Sequence, residues 1–403
     1  MSVTGRQDAV GCDIPMIETA SGDSTVTALA KRTFVRNAAR WARQKRESIA
    51  KQRASRDYDS AKAYYLEKLC RAASRFEGAP MLVYQMGKVG SKSVLRTLKS
   101  LNTRETHRLN MPVYHVHFLT QSLIDEYETK RKAFLGTEKQ GRLEHIWLYE
   151  YLRQQRDNQL ALIEASGRPL SPGDRWKVVT LTRETVGRNV SNFFELVEVE
   201  PADGRPPHQE ASATNCRYHL RSDPDFYNLD IEVDTRDLSD LLQVYLDKPD
   251  HDEPLTFFEQ EIKGVLGVDV YATPFPTSQG YTIYETDWAD ILLIRVEDLN
   301  TCVQAAFKEF LGIDNFDLMN DNVGSEKPYA GLYRQFKESR LLPESYIDRM
   351  YASRYMQHFY TDQEIARFKS KWVQSRPPDA LGPPDASGLP GTPGLPGRQD
   401  DSL

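Results

Sequence analysis

The chain is poor in the features that most readily betray a function. Its four cysteines, Cys12, Cys70, Cys216 and Cys302, lie far apart, with no Cys-x-x-Cys pair and no metal-ligand spacing. No metal is therefore expected, and free thiols in a reducing compartment are the simplest reading. No apolar run reaches the roughly eighteen residues of a membrane-crossing helix, and the N-terminus lacks the apolar core of a signal peptide. The expectation is a cytoplasmic chain. Positive charge is not in excess, because 52 Lys and Arg against 58 Asp and Glu leave a net charge of −6. Such a balance provides no whole-protein basic field to draw nucleic acid. The Walker loop of ATP-binding proteins, Gly-x-x-x-x-Gly-Lys-Ser/Thr, is absent as well. With 403 residues, 39% of them hydrophobic, there is still material for one sizeable core plus tails.

What is present starts with Met81-Leu-Val-Tyr-Gln-Met-Gly-Lys-Val-Gly-Ser-Lys-Ser-Val-Leu-Arg-Thr-Leu98. Met81 to Tyr84 is a short apolar run after Gly78 and Pro80, which predicts a buried strand. Beyond the small-residue turn Gly87–Ser93, the residues Val94, Leu95, Leu98 and Leu101 fall on one helical stripe. Strand, small-residue loop and helix N-terminus form a geometry that holds an anion, since free N–H groups and the helix dipole both favour negative charge there. Gly87 and Gly90 allow close approach of the main chain. Ser91 and Ser93 offer hydroxyls, and Lys88 and Lys92 add full charges.

A second element is Lys177-Val-Val-Thr-Leu-Thr-Arg-Glu-Thr-Val-Gly-Arg-Asn-Val-Ser-Asn-Phe-Phe194. Val178 to Leu181 reads as another buried strand, with Val186, Val190 and Phe193 marking the helix behind it. Arg183 stands at the strand exit and Ser191 follows on the helix. A guanidinium fork with a hydroxyl suits a terminal phosphate dianion. Between the two elements, Met111-Pro-Val-Tyr-His-Val-His-Phe-Leu119 alternates so that His115 and His117 share one face of a strand. Histidine is the natural base for a hydroxyl proton near neutral pH, although a hydrogen-bonded core histidine fits the same pattern.

The remaining segments supply the frame. Residues 1–25 are polar and are expected to be disordered. Residues 31–56 carry ten Lys or Arg against one acid, Glu47, and place Phe34, Ala38 and Trp41 on one helical face. Such a basic helix either lies on an anionic membrane surface, giving a peripheral contact, or packs Trp41 on the protein. A lead-in helix over Ala61–Phe76 completes this 26–78 extension. Arg142–Leu162 reads as a helix with Ile146, Leu148, Tyr151 and Leu152 inward. Residues 198–253 are acidic and Pro-rich, an insertion of rim loops of the kind that sets acceptor choice. Leu255–Lys263 resumes a helix, where Glu259 or Glu261 is an alternative base to His117. Asp290–Leu299 is a clear strand, followed by a core-packing helix over Ala305–Leu311, with Glu297 and Asp298 capping it or bonding a loop. Tyr346–Trp372 is an aromatic-rich helical end, and from 375 a Pro/Gly tail with Gly388-Leu-Pro-Gly-Thr-Pro-Gly-Leu-Pro-Gly397 is expected to be flexible.

From about 80 to 372 the chain resembles the PAPS-dependent sulfotransferases (PAPS being 3′-phosphoadenosine 5′-phosphosulfate), and among them the sulfotransferase-like bacterial capsular polysaccharide synthesis proteins. The points of likeness are Gln85-Met-Gly-Lys-Val-Gly-Ser, Tyr114-His-Val-His-Phe, Thr182-Arg…Arg188-Asn-Val-Ser-Asn-Phe-Phe, Gly267-Val-Asp-Val-Tyr, Arg295-Val-Glu-Asp-Leu and Asn322…Lys327…Tyr329…Tyr333. Glu184-Thr185 departs from the usual Asp-Pro, Lys92 stands where related loops carry Ser or Thr, and the late Arg-Lys-Gly of the cytosolic enzymes is missing. The resemblance implies an α/β, P-loop-like sulfotransferase fold over 79–374, with a central, mostly parallel sheet flanked by helices. It implies that Gly87, Lys88, Gly90, Ser91, Lys92 and Ser93 hold the 5′-phosphate end of PAPS, that Arg183 and Ser191 hold the 3′-phosphate, and that Lys327 and Tyr329 close over the nucleotide. Lys88 then stabilises the leaving phosphate, His117 is the base and His115 supports it, with a saccharide hydroxyl as the expected acceptor. Two rival readings stand beside it: a P-loop kinase or NTPase, and a catalytically silent nucleotide-binding or scaffold protein.

Overall fold

In the computed structural model the described residues are 57–103, 109–201, 216–220, 231–233, 238–247, 250–319 and 327–373. The expectations for disorder over 1–25, for the basic helix bearing Phe34 and Trp41, and for the tail from 375 lie outside them. The chain divides into two compact units, Met1–Tyr65 and Leu66–Leu403. The first is described only over 57–65, at the start of helix α1 (Tyr58–Ala73). Everything below concerns the second.

The expected apolar runs become strands because each has neighbours on both sides to take its backbone hydrogen bonds. β1 (Met81–Tyr84) is buried along its whole length, as is β8 (Ala289–Arg295), the pattern of parallel strands covered on both faces. β2 (Val113–Val116) and β3 (Trp176–Thr182) complete the parallel set, and β7 (Tyr281–Glu285) joins antiparallel to β8 at one edge. The sheet order is β2-β1-β3-β8-β7. Met81 pairs with Val113 on one side and with Lys177 on the other, and Val178 pairs with Ile291. The molecule is thus an α/β protein with a five-stranded, mostly parallel sheet flanked by helices. The edge strand β7 was not anticipated.

Helices make the crossovers. α2 (Ser91–Leu101) links β1 to β2, burying Val94, Leu98 and Leu101. α3 (Gln121–Arg131) and the long α4 (Gln140–Ser166) link β2 to β3, and α4 buries Ile146, Leu148 and Leu152 as its spacing predicts, while Tyr151 is only half-buried. α5 (Thr185–Phe194) follows β3, with every residue from Thr185 to Val190 buried. Because β1 lies between β2 and β3, the chain leaves β1 toward one side of the sheet and later returns on the other. The carboxyl ends of β1 and β3 therefore border a topological switch point, the place where open α/β sheets take ligands.

The described residues of the acidic insertion form regular elements. The insertion contains a separate antiparallel sheet, β4 (Val197–Pro201), β5 (Cys216–Leu220) and β6 (Ile231–Val233), and the helix α6 (Leu238–Asp247). Beyond it, α7 (Glu253–Phe257) continues as a π-helical stretch, Phe258–Leu266, stopped by Gly267 at φ 79°. After β8 a short turn leads into α8 (Leu299–Leu311), which starts earlier than expected. The aromatic-rich end, preceded by α9 (Ala330–Ser339), breaks into α10 (Glu344–Tyr351), α11 (Arg354–Phe359) and α12 (Asp362–Lys369). The breaks are chemical. Ser353 accepts from the Met356 amide to start α11, and Thr361 forms a reciprocal capping box with Glu364 to start α12.

The N-terminus of α5 depends on one glycine. The Glu184 carboxylate caps the helix by accepting from the Gly187 amide at 2.7 Å, and a Cβ on Gly187 would overlap that same carboxylate oxygen. Gly187→Ala should expel the cap and lower the urea-unfolding free energy by at least about 1–2 kcal/mol, the scale of a lost N-cap, with a matching fall in Tm.

Candidate functional site

The loop leaving β1 alternates in backbone handedness. Lys88 has φ 68° and Gly90 φ 73°, with Val89 of ordinary sign between them. Alternating handedness of this kind makes an anion-binding concavity of successive amides. Gly90 stands at the N-cap position of α2, and no side chain caps that helix end. A left-handed conformation is natural for glycine, whereas at a lysine it costs about 1–3 kcal/mol and needs surrounding structure to hold it.

Two arginines provide that hold. Arg183, at the exit of β3, donates from Nη1 to the Lys88 carbonyl at 2.9 Å. Arg188, fully buried on α5, donates from Nε to the Gly87 carbonyl at 2.9 Å, from Nη1 to Asn189, and from Nη2 to Glu253 at the start of α7. Arg183 is itself pinned through its main chain: its N–H donates to the Tyr355 hydroxyl at 3.0 Å, which donates to its carbonyl at 2.9 Å. The Glu184 amide donates to Glu297 at 2.9 Å, so Glu297 bonds a loop, while Asp298 pairs with the buried Arg295.

The histidines meet this loop from β2. Their rings lie edge to face with centroids 4.6 Å apart, although β2 ends at Val116 and His117 follows it. The Gln85 amide donates to Ser91 Oγ at 2.9 Å and lies 3.0 Å from His115 Nε2, which must therefore be an acceptor. Burial, with the charges of His117, Lys99, His145 and Lys92 behind it, pushes the His115 pKa down to about 3, so the ring is neutral. His117 is lowered too, chiefly by burial, with Glu253 and the bond to Gln85 opposing. Its Nδ1 is 3.1 Å from the Gln85 carbonyl. A carbonyl only accepts, so Nδ1 carries the proton and Nε2 keeps its lone pair. That is the tautomer and charge state of a base.

Lys88 points its ammonium at Glu195, just past the C-terminus of α5, at 2.6 Å. Lys327 reaches the same carboxylate at 3.3 Å and the Tyr329 hydroxyl donates to it at 2.9 Å. Burial lowers Lys88 to about 8. For Glu195 burial acts upward, but the Lys88 bond and charge, with Tyr329 and Lys327, overcome it and hold the carboxyl at about 2. Packing of Phe194 against Tyr329 and Tyr333 seats the late segment here, with ring centroids 6.0 and 5.1 Å apart.

The structure thus gathers Gly87, Lys88, Gly90, Ser91, Arg183, His115 and His117 around the carboxyl ends of β1 and β3, and brings Lys327 and Tyr329 to Lys88 through Glu195. Ser91 is buried and already shared with Gln85 and His115. Lys92 is exposed on the first turn of α2, and Ser93 and Ser191 are partly buried on α2 and α5. The alternative bases stand elsewhere. Glu259 is on the surface with Arg354 and Lys263, while one oxygen of the buried Glu261 accepts from Tyr84 and from the amides of Leu119 and Thr120. Three participants carried no assignment from sequence: Arg188, Glu195 and Gln85. Arg188 and Gln85 lay within the recognised motifs, but nothing local distinguishes a buried clamp from a surface charge, and Glu195 gave no signal at all.

Among the described residues no helix is long and apolar enough to cross a membrane, and no group of three or more His, Cys, Asp or Glu side chains is arranged to hold a metal ion. A family model described as "Putative capsular polysaccharide synthesis protein" matches residues 230–361. That span, about a third of the chain, includes Glu253, β7, β8, Lys327 and Tyr329 but neither the loop after β1 nor Arg183. It supports the capsular polysaccharide side of the resemblance. No curated protein and no solved structure matches the chain.

The buried histidine has a consequence for stability. In the unfolded chain His115 takes up a proton near pH 6.5, whereas in the fold it does so only near pH 3. Between those values the unfolded state binds more protons, so stability falls as pH falls through the window. His115→Gln should flatten this acid slope, as read from urea midpoints at pH 7 and pH 4.5.

Proposed function

We propose that the protein is a PAPS-dependent sulfotransferase that transfers a sulfuryl group to a hydroxyl of a saccharide acceptor in capsular polysaccharide synthesis, on a P-loop-like sulfotransferase fold. One observation carries this reading. The left-handed lysine loop after β1 and the arginine at the exit of β3 are bonded to each other at the switch point of the sheet, with a neutral histidine beside them. The donor set suits an oxyanion, because Lys88, Lys327 and Tyr329 already surround a carboxylate, that of Glu195.

On this reading the amides of the loop and of the first turn of α2 receive the 5′-phosphate end of the donor, with Gly87, Gly90, Ser91, Lys92 and Ser93 around them. Arg183 uses the guanidinium nitrogens left over from its bond to Lys88, and with Ser191 it holds the 3′-phosphate. The bound donor supplies a sulfuryl group on a phosphate leaving group. Lys88 offers its ammonium to negative charge as it develops, the kind of preorganised stabilisation that dominates such transfers. His117 Nε2 accepts the proton of the acceptor hydroxyl while Nδ1 stays on the Gln85 carbonyl, and His115 buttresses the ring. Positioning and charge do most of the work, as in phosphoryl transfer. The hydroxyl of a saccharide is consistent with the family match, and the acidic insertion disfavours a polyanionic one.

The first test is binding. Adenosine 3′,5′-bisphosphate should raise the Tm, and ATP with magnesium should not; the reverse result would make the protein an NTPase. With labelled PAPS and a saccharide acceptor, Lys88→Ala should cut turnover at least about a hundredfold, the scale for losing an oxyanion donor. Arg183→Ala should mainly raise the PAPS concentration needed. Turnover should be lost as pH rises through about 8, where Lys88 gives up its proton, and should survive down to below the ordinary histidine range because His117 resists protonation. A rate that kept rising above pH 9 would remove Lys88 from the mechanism.

A further inference from the structure

The carboxylate at the centre of the lysine cluster belongs to no part of the mechanism above. Glu195 lies one residue beyond α5, and its Oε1 receives Lys88 at 2.6 Å, Tyr329 at 2.9 Å and Lys327 at 3.3 Å. The donors come from two separate stretches of chain, the loop after β1 and the segment before α9, and meet the carboxylate at the end of a third, α5. Exposures of 19% for Lys88, 30% for Glu195 and 24% for Lys327 put the cluster at the rim, neither dry nor fully solvated. A lysine in such a place has no intrinsic reason to hold one direction, since its stem is flexible and its head compact and strongly hydrated.

We propose that Glu195 is a positioning residue for Lys88, an internal carboxylate that holds the Lys88 and Lys327 ammonium groups together and keeps Lys88 charged for the transfer; the inference rests on the sulfotransferase reading. The groups facing Lys88 make the need for it plain. Lys92 lies on α2, Lys327 before α9, and the guanidinium groups of Arg183 and Arg188 sit on the carbonyls of Lys88 and Gly87. Burial and the charges of Lys92 and Lys327 push Lys88 toward the neutral amine, and the bond and charge of Glu195 push back. Without it, Lys88 would discharge into the neutral range and its stem would be free to leave the loop. Lys327 and Tyr329 join through the same oxygen, so the late segment is tied to the loop by one carboxylate.

The test reads Lys88 directly. Competitive acetylation with acetic anhydride, followed across pH by mass spectrometry of the peptide that contains Lys88, gives the pH at which the amine becomes reactive. In the full chain Glu195→Gln should lower that midpoint by about one pH unit or more, a tenfold change in proton affinity. Glu195→Asp, which keeps the charge on a shorter stem, should fall between the two and serves as the second variant if the glutamine form folds poorly. An unchanged midpoint in both would overturn the proposal. Turnover of Glu195→Gln at pH 8 should drop about fivefold or more, while at pH 6, where Lys88 is charged in both forms, adenosine 3′,5′-bisphosphate binds as tightly or more tightly, because a nearby like charge has gone. Weakened binding together with weakened turnover would mark a merely structural residue and also overturn it. If the midpoint falls as expected but the unaltered chain binds no adenosine bisphosphate, Glu195 keeps its role toward Lys88 and the sulfotransferase reading is what fails.

Discussion

Two consecutive carbonyls in the loop after β1, those of Gly87 and Lys88, accept from guanidinium groups on the far side of the switch point, Arg188 on α5 and Arg183 at the end of β3. Most of what is distinctive in the site follows from that pair of bonds. Carbonyls turned toward the arginines leave the amides of the same peptides facing the other way, and a lysine is kept in a conformation it would otherwise avoid. Arg188 pays for its complete burial only because every direction of its fork is met, by Gly87, Asn189 and Glu253. A buried guanidinium stripped of one such partner is typically worse by several kcal/mol, about 3–5.

Around this clamp lies a graded set of polar contacts. Tyr355 holds the main chain of Arg183 from both sides, and the hydroxyls of Tyr351 and Tyr360 bond Glu184 and Glu297. All three tyrosines are raised in pKa, first of all by burial, so they remain donors rather than charges. They come from α10 and α11 and the turn that follows, within the span matched by the family model. The late helices thus brace the segment after β3 from behind, while Lys327 and Tyr329 meet Lys88 at the rim through Glu195. The small antiparallel sheet of the insertion stands apart from this machinery in the topology.

The electrostatics divide by depth. Histidines beneath the loop are kept neutral by burial, whereas at the rim Lys88 and Lys327 share the Glu195 carboxylate, which is held ionised. A neutral histidine pair below a lysine–carboxylate cluster is a coherent arrangement, because each state would be spoiled by exchanging the environments.

The elements were legible because local periodicity and chain punctuation determine them. Met81–Tyr84, the stripe of α2, the run before Arg183 and the strand from Asp290 all follow from apolar spacing, although that strand stops at Arg295 rather than Leu299, and the small-residue turn after β1 followed from Gly87 and Gly90. The edge strand β7 has an apolar-and-polar mixture too weak to stand out, and it is held by its pairing with β8 rather than by its own pattern. The partners of the site were decided by tertiary structure alone. Sheet order sets β3 beside β1, and only then does an arginine 95 residues away reach the Lys88 carbonyl. Glu195 acquires its role the same way, from three stretches that meet only in the fold: a carboxylate's chemistry is written in the chain, but what it faces depends on which strands become neighbours.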